Sequence, residues 1–170
     1  MASLVEELVE VLHNEKEIYG ELIECGTEKK DILIRGDIPA LEALTEKEQA
    51  LSDRLLSESN RQIALLGDIA NVLGKGSEQM TVTKLIVALA SQPQAVQQLT
   101  DARDQLLEAA NEMQRINVQN EALLNQAIEL TEFDITLFKS LRQAPETANY
   151  NRNAYNTGAL LGGSGFDAKQ

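Results

Sequence analysis

The sequence predicts an all-α protein: an elongated antiparallel bundle of coiled-coil-like hairpins, with three long helices, one short helix and a disordered C-terminal tail. Three observations carry this expectation. Leu, Ala, Glu, Gln and Lys, the strong helix formers, dominate the composition. Glycine and proline are scarce before residue 144. Apolar residues recur at the three-four spacing of a helix face over unusually long stretches. Residues 1–143 therefore read as one helical bundle domain and 144–170 as a flexible tail.

The first helix spans 3–35, with Val5, Leu8, Leu12, Tyr19, Leu22 and Leu33 on one stripe and Ile18 and Ile32 beside it. Gly36 stops it. Asp37 is placed to cap the next helix, whose first turn tolerates Pro39. The second helix runs to about Leu73, with Leu41, Leu44, Glu48, Leu51, Leu55, Ile69 and Leu73 on its stripe, and "GKGSEQ" at 74–79 breaks it. A short third helix fits 81–90. Ser91 or Gln92 then caps a fourth that starts at Pro93 and reaches about Gln143 without a glycine or proline. At 1.5 Å per residue it would be roughly 75 Å long, against roughly 50 Å for each of the first two. Helices of this length pack lengthwise in hairpins with heptad-like seams. Beyond Pro145 the pattern dissolves into Asn, Gly, Ala and Ser, with too little apolar area to offset ordering entropy.

The formal net charge of -12 excludes several classes of function. Nucleic-acid binders cluster Lys and Arg against phosphates, and here the densest basic run is flanked by acids. No apolar stretch approaches the roughly 20 residues of a membrane span, and the N-terminus lacks the basic start and apolar block of a signal peptide. With Cys25 as the sole cysteine, no internal disulfide forms, and a cytoplasmic location is expected.

Catalysis finds few residues to work with. His13 is the only histidine, which excludes a bundle metal site built on paired Glu-x-x-His motifs. Cys25 lies mid-helix among acids, which raise a thiol pKa, so it reads as a small core or boundary residue. The stretch "GDIANVLGKGS" has six residues rather than four before its Gly-Lys pair, and is a turn rather than a phosphate loop. No catalytic residue, metal or cofactor is expected.

Four polar residues fall on or beside the apolar stripes: Glu15, Glu48, Asn117 and Asn120. Either each sits at a seam edge and reaches solvent, or together they form a buried polar layer that fixes helix register at some cost in stability.

The end of the fourth helix is different. Leu123, Ala127, Leu130, Leu137 and Leu141 form one stripe, and Leu124, Ile128, Ile135 and Phe138 another, offset by roughly 110°. Glu121, Asn125, Glu129, Glu132 and Lys139 occupy the opposite side. This apolar arc is wider than a two-helix seam requires. Either both stripes are core, or one packs on the bundle and the other receives a partner's amphipathic helix. Five of the six aromatic residues lie in the last 38 positions, which favours the partner. The tail adds Tyr150, Tyr155, Leu160 and Leu161, a set suited to a docking element that orders on contact.

In order and interval these features resemble the FlgN family of flagellar export chaperones. The match covers roughly 4–142. It rests on "LVEVLHNEKEIYGELIECGTEKK", the "RGDIPALEALTEKEQAL" junction, Arg61, "MTVTKLI" between the long helices, and "RINVQNEALLNQAIELTEF" with Asn117, Asn120, Leu123 and Leu124. The resemblance implies a cytosolic chaperone of type III flagellar export. Its clients would be the C-terminal amphipathic helices of the hook–filament junction proteins FlgK and FlgL. It would prevent their premature assembly and help present them to the export gate. Family substrate binding is attributed to the C-terminal part of the chaperone, here the late fourth helix and the residues beyond it. No nucleotide or metal is implied. Two other readings remain: a structural coiled-coil protein that only self-associates, with the wide arc buried in a homodimer, and a general helical holdase with many unfolded clients.

Overall fold

Four α-helices make up the described chain: α1 (Ala2–Arg35), α2 (Ile38–Val72), α3 (Val82–Ala88) and α4 (Pro93–Gln143). The computed structural model describes residues 2–76 and 79–143, and among them there is no strand. The tail residues Tyr150, Tyr155, Leu160 and Leu161 lie outside the described residues. The chain divides into two compact units, Met1–Leu130 and Thr131–Gln170.

Local chemistry sets the helix ends. Gly36 adopts φ 66°, which a side chain would resist, and the Asp37 N–H reaches back to the Ile32 carbonyl at 3.2 Å. Asp37 then accepts the Ala40 N–H at 3.1 Å and so starts α2, with a proline in the first turn. Gly74, at φ 69°, ends α2 in the same way, and the Lys75 N–H bonds to the Ala70 carbonyl at 2.8 Å. The Thr81 hydroxyl accepts the Lys84 N–H at 3.2 Å and begins α3. The Gln92 carbonyl accepts the first amide of α4, that of Val96.

In the first unit, α1 and α2 form an antiparallel hairpin. Arg54 pairs with Glu21 at 3.1 Å, and nearer the turn Lys29 pairs with Glu48. α4 runs parallel to α1 and therefore antiparallel to α2, as expected of an antiparallel bundle. Lys16 of α1 donates to Gln105 at 3.0 Å, and Asn120 donates to the carbonyl of Gly26 at 2.7 Å, so the numbers rise together. The cause is α3. Val82, Leu85 and Leu89 join Val5 and Leu8 of α1 and Leu66 and Ile69 of α2 in one apolar cluster. The short helix thus crosses the open end of the hairpin, and α4 starts beside the start of α1.

A second cluster, nearer the α1–α2 turn, joins Ile18, Leu22, Cys25 and Ile32 to Leu44, Leu51 and Met113. Here the buried face of α1 is displaced from the expected stripe. Ile18 and Ile32 are buried, whereas Tyr19 and Leu33 are only half-buried. A helix that faces both α2 and α4 buries a broader arc than one seam demands. Burial also pushes the Cys25 thiol above its ordinary range; Lys47 opposes this, and Glu48 and Glu28 add to it.

Glu15 sits on α1 between the two clusters and is 5% exposed. Desolvation, reinforced by the charge of Glu58, raises its carboxyl pKa from 4.5 to about 7. A carboxyl with a raised folded pKa binds its proton more tightly in the folded state. Stability from this group is therefore greatest below pH 4.5 and falls as pH rises toward about 7. The full span corresponds to about 3 kcal/mol. Glu15→Gln is expected to stabilise the fold by about 2–3 kcal/mol at pH 8 and to change little at pH 4. Urea unfolding at both pH values measures this, and an unchanged pH slope in the variant would contradict it.

Candidate functional site

Within the first unit, α4 is anchored by Leu99, Ala102, Met113, Ile116 and Asn120, and no residue of α4 beyond Asn120 is buried. The anchor at Asn120 depends on a missing side chain opposite. Gly26 of α1 has no Cβ, and one added there would lie 2.5 Å from Cγ2 of Ile116. The bare backbone lets α4 approach closely enough for the Asn120 amide to reach the Gly26 carbonyl. Nothing in the helix periodicity of the sequence pointed to Gly26; the only available signal was a glycine inside an otherwise strong helix-forming run.

The four polar residues separate by burial. Glu15 and Asn120 are buried, at 5% and 6% exposed. Glu48 is half-buried and held by Lys29. Asn117 is a correction to the expected layer, because it is exposed. It borders a shallow cavity of about 310 Å³ with Leu33, Leu41, Thr45 and Leu124, where α2 does not close on α4.

From Leu124 onward the character of α4 changes. Leu123 and Ala127 are half-buried, and every residue from Ile128 to Gln143 is exposed. In the first unit this leaves Leu124, Ile128 and Leu130 at 41–64% exposure. In the second it leaves Phe133, Ile135, Leu137, Phe138 and Leu141 at 47–66%. Half of the exposed large hydrophobics among the described residues fall on this short stretch, whereas the others are scattered over all four helices. Isolated exposed apolar residues are ordinary, whereas a concentration of this kind is not.

Leu124 and Ile128 lie on one exposed face in the first unit, and Ile135 and Phe138 on one exposed face in the second. The Arg142 guanidinium lies 5.5 Å from the centre of the Phe138 ring and shelters one face of it. Leu130 in the first unit, and Leu137 and Leu141 in the second, are exposed as well. Phe133, which the periodicity assigns to neither stripe, lies beside Leu137 on the helical wheel.

Other parts of the surface offer less. A cavity of about 900 Å³ between α1 and α4 is bordered by Lys16, Ile23, Leu107, Glu112 and Arg115. Its cations are already engaged, Lys16 by Gln105 and Arg115 by Glu112. Among the described residues no group of three or more His, Cys, Asp or Glu side chains converges, and no helix is long and apolar enough to cross a membrane.

The family profile described as FlgN protein matches residues 1–158. The chain belongs to the FlgN family. No curated protein and no solved structure matches it significantly. FlgN proteins are flagellar chaperones that bind flagellar proteins. The matched span includes every described residue of the FlgN fold seen here, as well as Tyr150 and Tyr155, and ends before Leu160 and Leu161.

Proposed function

We propose that this protein is a cytosolic export chaperone for hook–filament junction proteins of the FlgK and FlgL type. On this reading it shields their C-terminal amphipathic helices from premature assembly and helps deliver them to the export gate. The observation that carries the reading is the exposed apolar face of late α4 in a FlgN-family chain. A client helix laid along Leu124, Ile128, Ile135 and Phe138 exchanges two wet apolar surfaces for one dry seam, the usual basis of helix-in-groove recognition. Each fully buried side chain of this size contributes about 1.5–3 kcal/mol. The anchors therefore suffice for a specific complex, and the short contact keeps it reversible, as a client that must leave during export requires.

Charge supports a restricted choice of partner. Glu129, Glu132 and Asp134 are exposed and form no ion pair among the described residues. A helix bearing Lys or Arg beside its apolar stripe complements them, and an acidic one is repelled. A holdase for unfolded chains in general would have no use for that selectivity.

Calorimetry with a purified FlgK-type junction protein tests the proposal. The expected result is a one-to-one complex that is lost when the client's last helix is removed. A junction protein that does not bind, or that binds equally well without that helix, would overturn it. The tail carries a dependent expectation. Deleting 145–170, with Tyr150, Tyr155, Leu160 and Leu161, is expected to weaken client binding or secretion by about tenfold, the equivalent of about 1.4 kcal/mol. Unchanged affinity and unchanged secretion would remove the tail from the mechanism.

A further inference from the structure

We infer that the end of α4 is built to be held by two helices of one client rather than by a single helix. The inference rests on the chaperone reading above and specifies the form of its partner. Phe133, Leu137 and Leu141 form one exposed stripe, and Ile135 and Phe138 form another. The 100° step of an α-helix sets their centres roughly 130° apart. From Phe133 round to Ile135 these residues span roughly 200° of the circumference, with Asp134, Thr131 and Arg142 the polar positions inside the arc. A helix packed against one neighbour buries a stripe only roughly 100° wide. One client helix would therefore leave the second stripe in water, and two helices cover both.

Asp134 gives the pair its chemistry. On the helical wheel it falls in the gap between the stripes, flanked by Leu141 on one side and Phe138 on the other. It is exposed, and no cation lies three or four residues away on α4, where Leu130, Thr131, Leu137 and Phe138 stand. Two helices converging over this gap bring their facing edges to the Asp134 carboxylate, so those edges carry Lys or Arg. The acids at Glu129 and Glu132 lie on the remaining polar side and face solvent or the outer flank of a docked helix. The partner is thus a pair of amphipathic helices of one client chain, with basic residues along their shared seam.

Exposed positions permit substitution without disturbing the core, and helix content by circular dichroism verifies this. Leu137→Glu tests one stripe and Ile135→Glu the other, each titrated against a full-length FlgK-type junction protein and against a synthetic peptide of its last helix. Both variants are expected to bind the full-length protein at least tenfold more weakly than wild type. The peptide should bind more weakly than the full-length protein and respond to only one of the two substitutions. Asp134→Lys should weaken the full-length complex more than Asp134→Asn, and the difference should shrink with added salt. If one stripe variant binds the full-length protein within twofold of wild type, a single helix docks and the inference fails while the chaperone reading stands. If the wild-type protein binds neither ligand, or if light scattering shows a dimer that persists with client present, both fall.

Discussion

Ile135→Glu combined with Phe138→Glu is expected to weaken client binding by about 100-fold or more while leaving the unfolding free energy within about 0.5 kcal/mol of wild type. Both side chains are about half exposed or more, at 49% and 61%, so the fold loses little when they become polar. In a complex the same positions would be central anchors, each of a kind that costs more than 1 kcal/mol when truncated. A carboxylate adds to that loss, because docking would bury an unpaired charge. Loss of Phe138 also removes the ring on which Arg142 rests, a contact too exposed to affect folding noticeably. Titration calorimetry and urea unfolding of the same preparation separate the two effects. A variant that loses stability and affinity together would show that this part of α4 is structural.

Gly26→Val should act in the opposite sense, lowering stability by about 3–5 kcal/mol. An added Cβ at this position meets Cγ2 of Ile116 at 2.5 Å, and a branched Ile side chain in a packed seam has little room to retreat. Overpacking of this kind costs about 1–3 kcal/mol. The displaced α4 would also carry the Asn120 amide away from the Gly26 carbonyl, now 2.7 Å distant, and leave buried polar groups unpaired at a further cost of about 1–3 kcal/mol. Intrinsic propensity alone points the other way, since glycine is among the poorest helix formers. The sign of the change therefore distinguishes close helix contact from propensity. A Gly26→Val protein as stable as wild type by urea unfolding would rule out the contact.

These positions show what was legible in the sequence and what was not. The capping residue Asp37 and the turn glycines Gly36 and Gly74 act over a few residues, and their signatures lie in the sequence next to their effects. The interruption-free run from Pro93 to Gln143 likewise announced α4. The close approach of α4 to α1 was not legible, because it depends on a glycine far away in sequence. The same limit applies to polar stripe positions. Glu15 and Asn120 are buried whereas Asn117 is exposed, and only the third helix at each level decides which. For the candidate site, the width of the apolar arc was readable from periodicity. The exposure of its residues depends on tertiary packing, which no periodicity encodes.

Amide hydrogen exchange of the full chain, with and without a FlgK-type junction protein, tests the central claim most directly. In the free protein the amides of 128–143 are expected to exchange fastest among the long helices, since no side chain there is buried. Client binding should slow exchange in 124–143 and leave the amides around Leu8, Leu12 and Leu99 unchanged. Protection that appears instead on α1 and α2, or no protection on late α4 when the client is bound, would contradict the account.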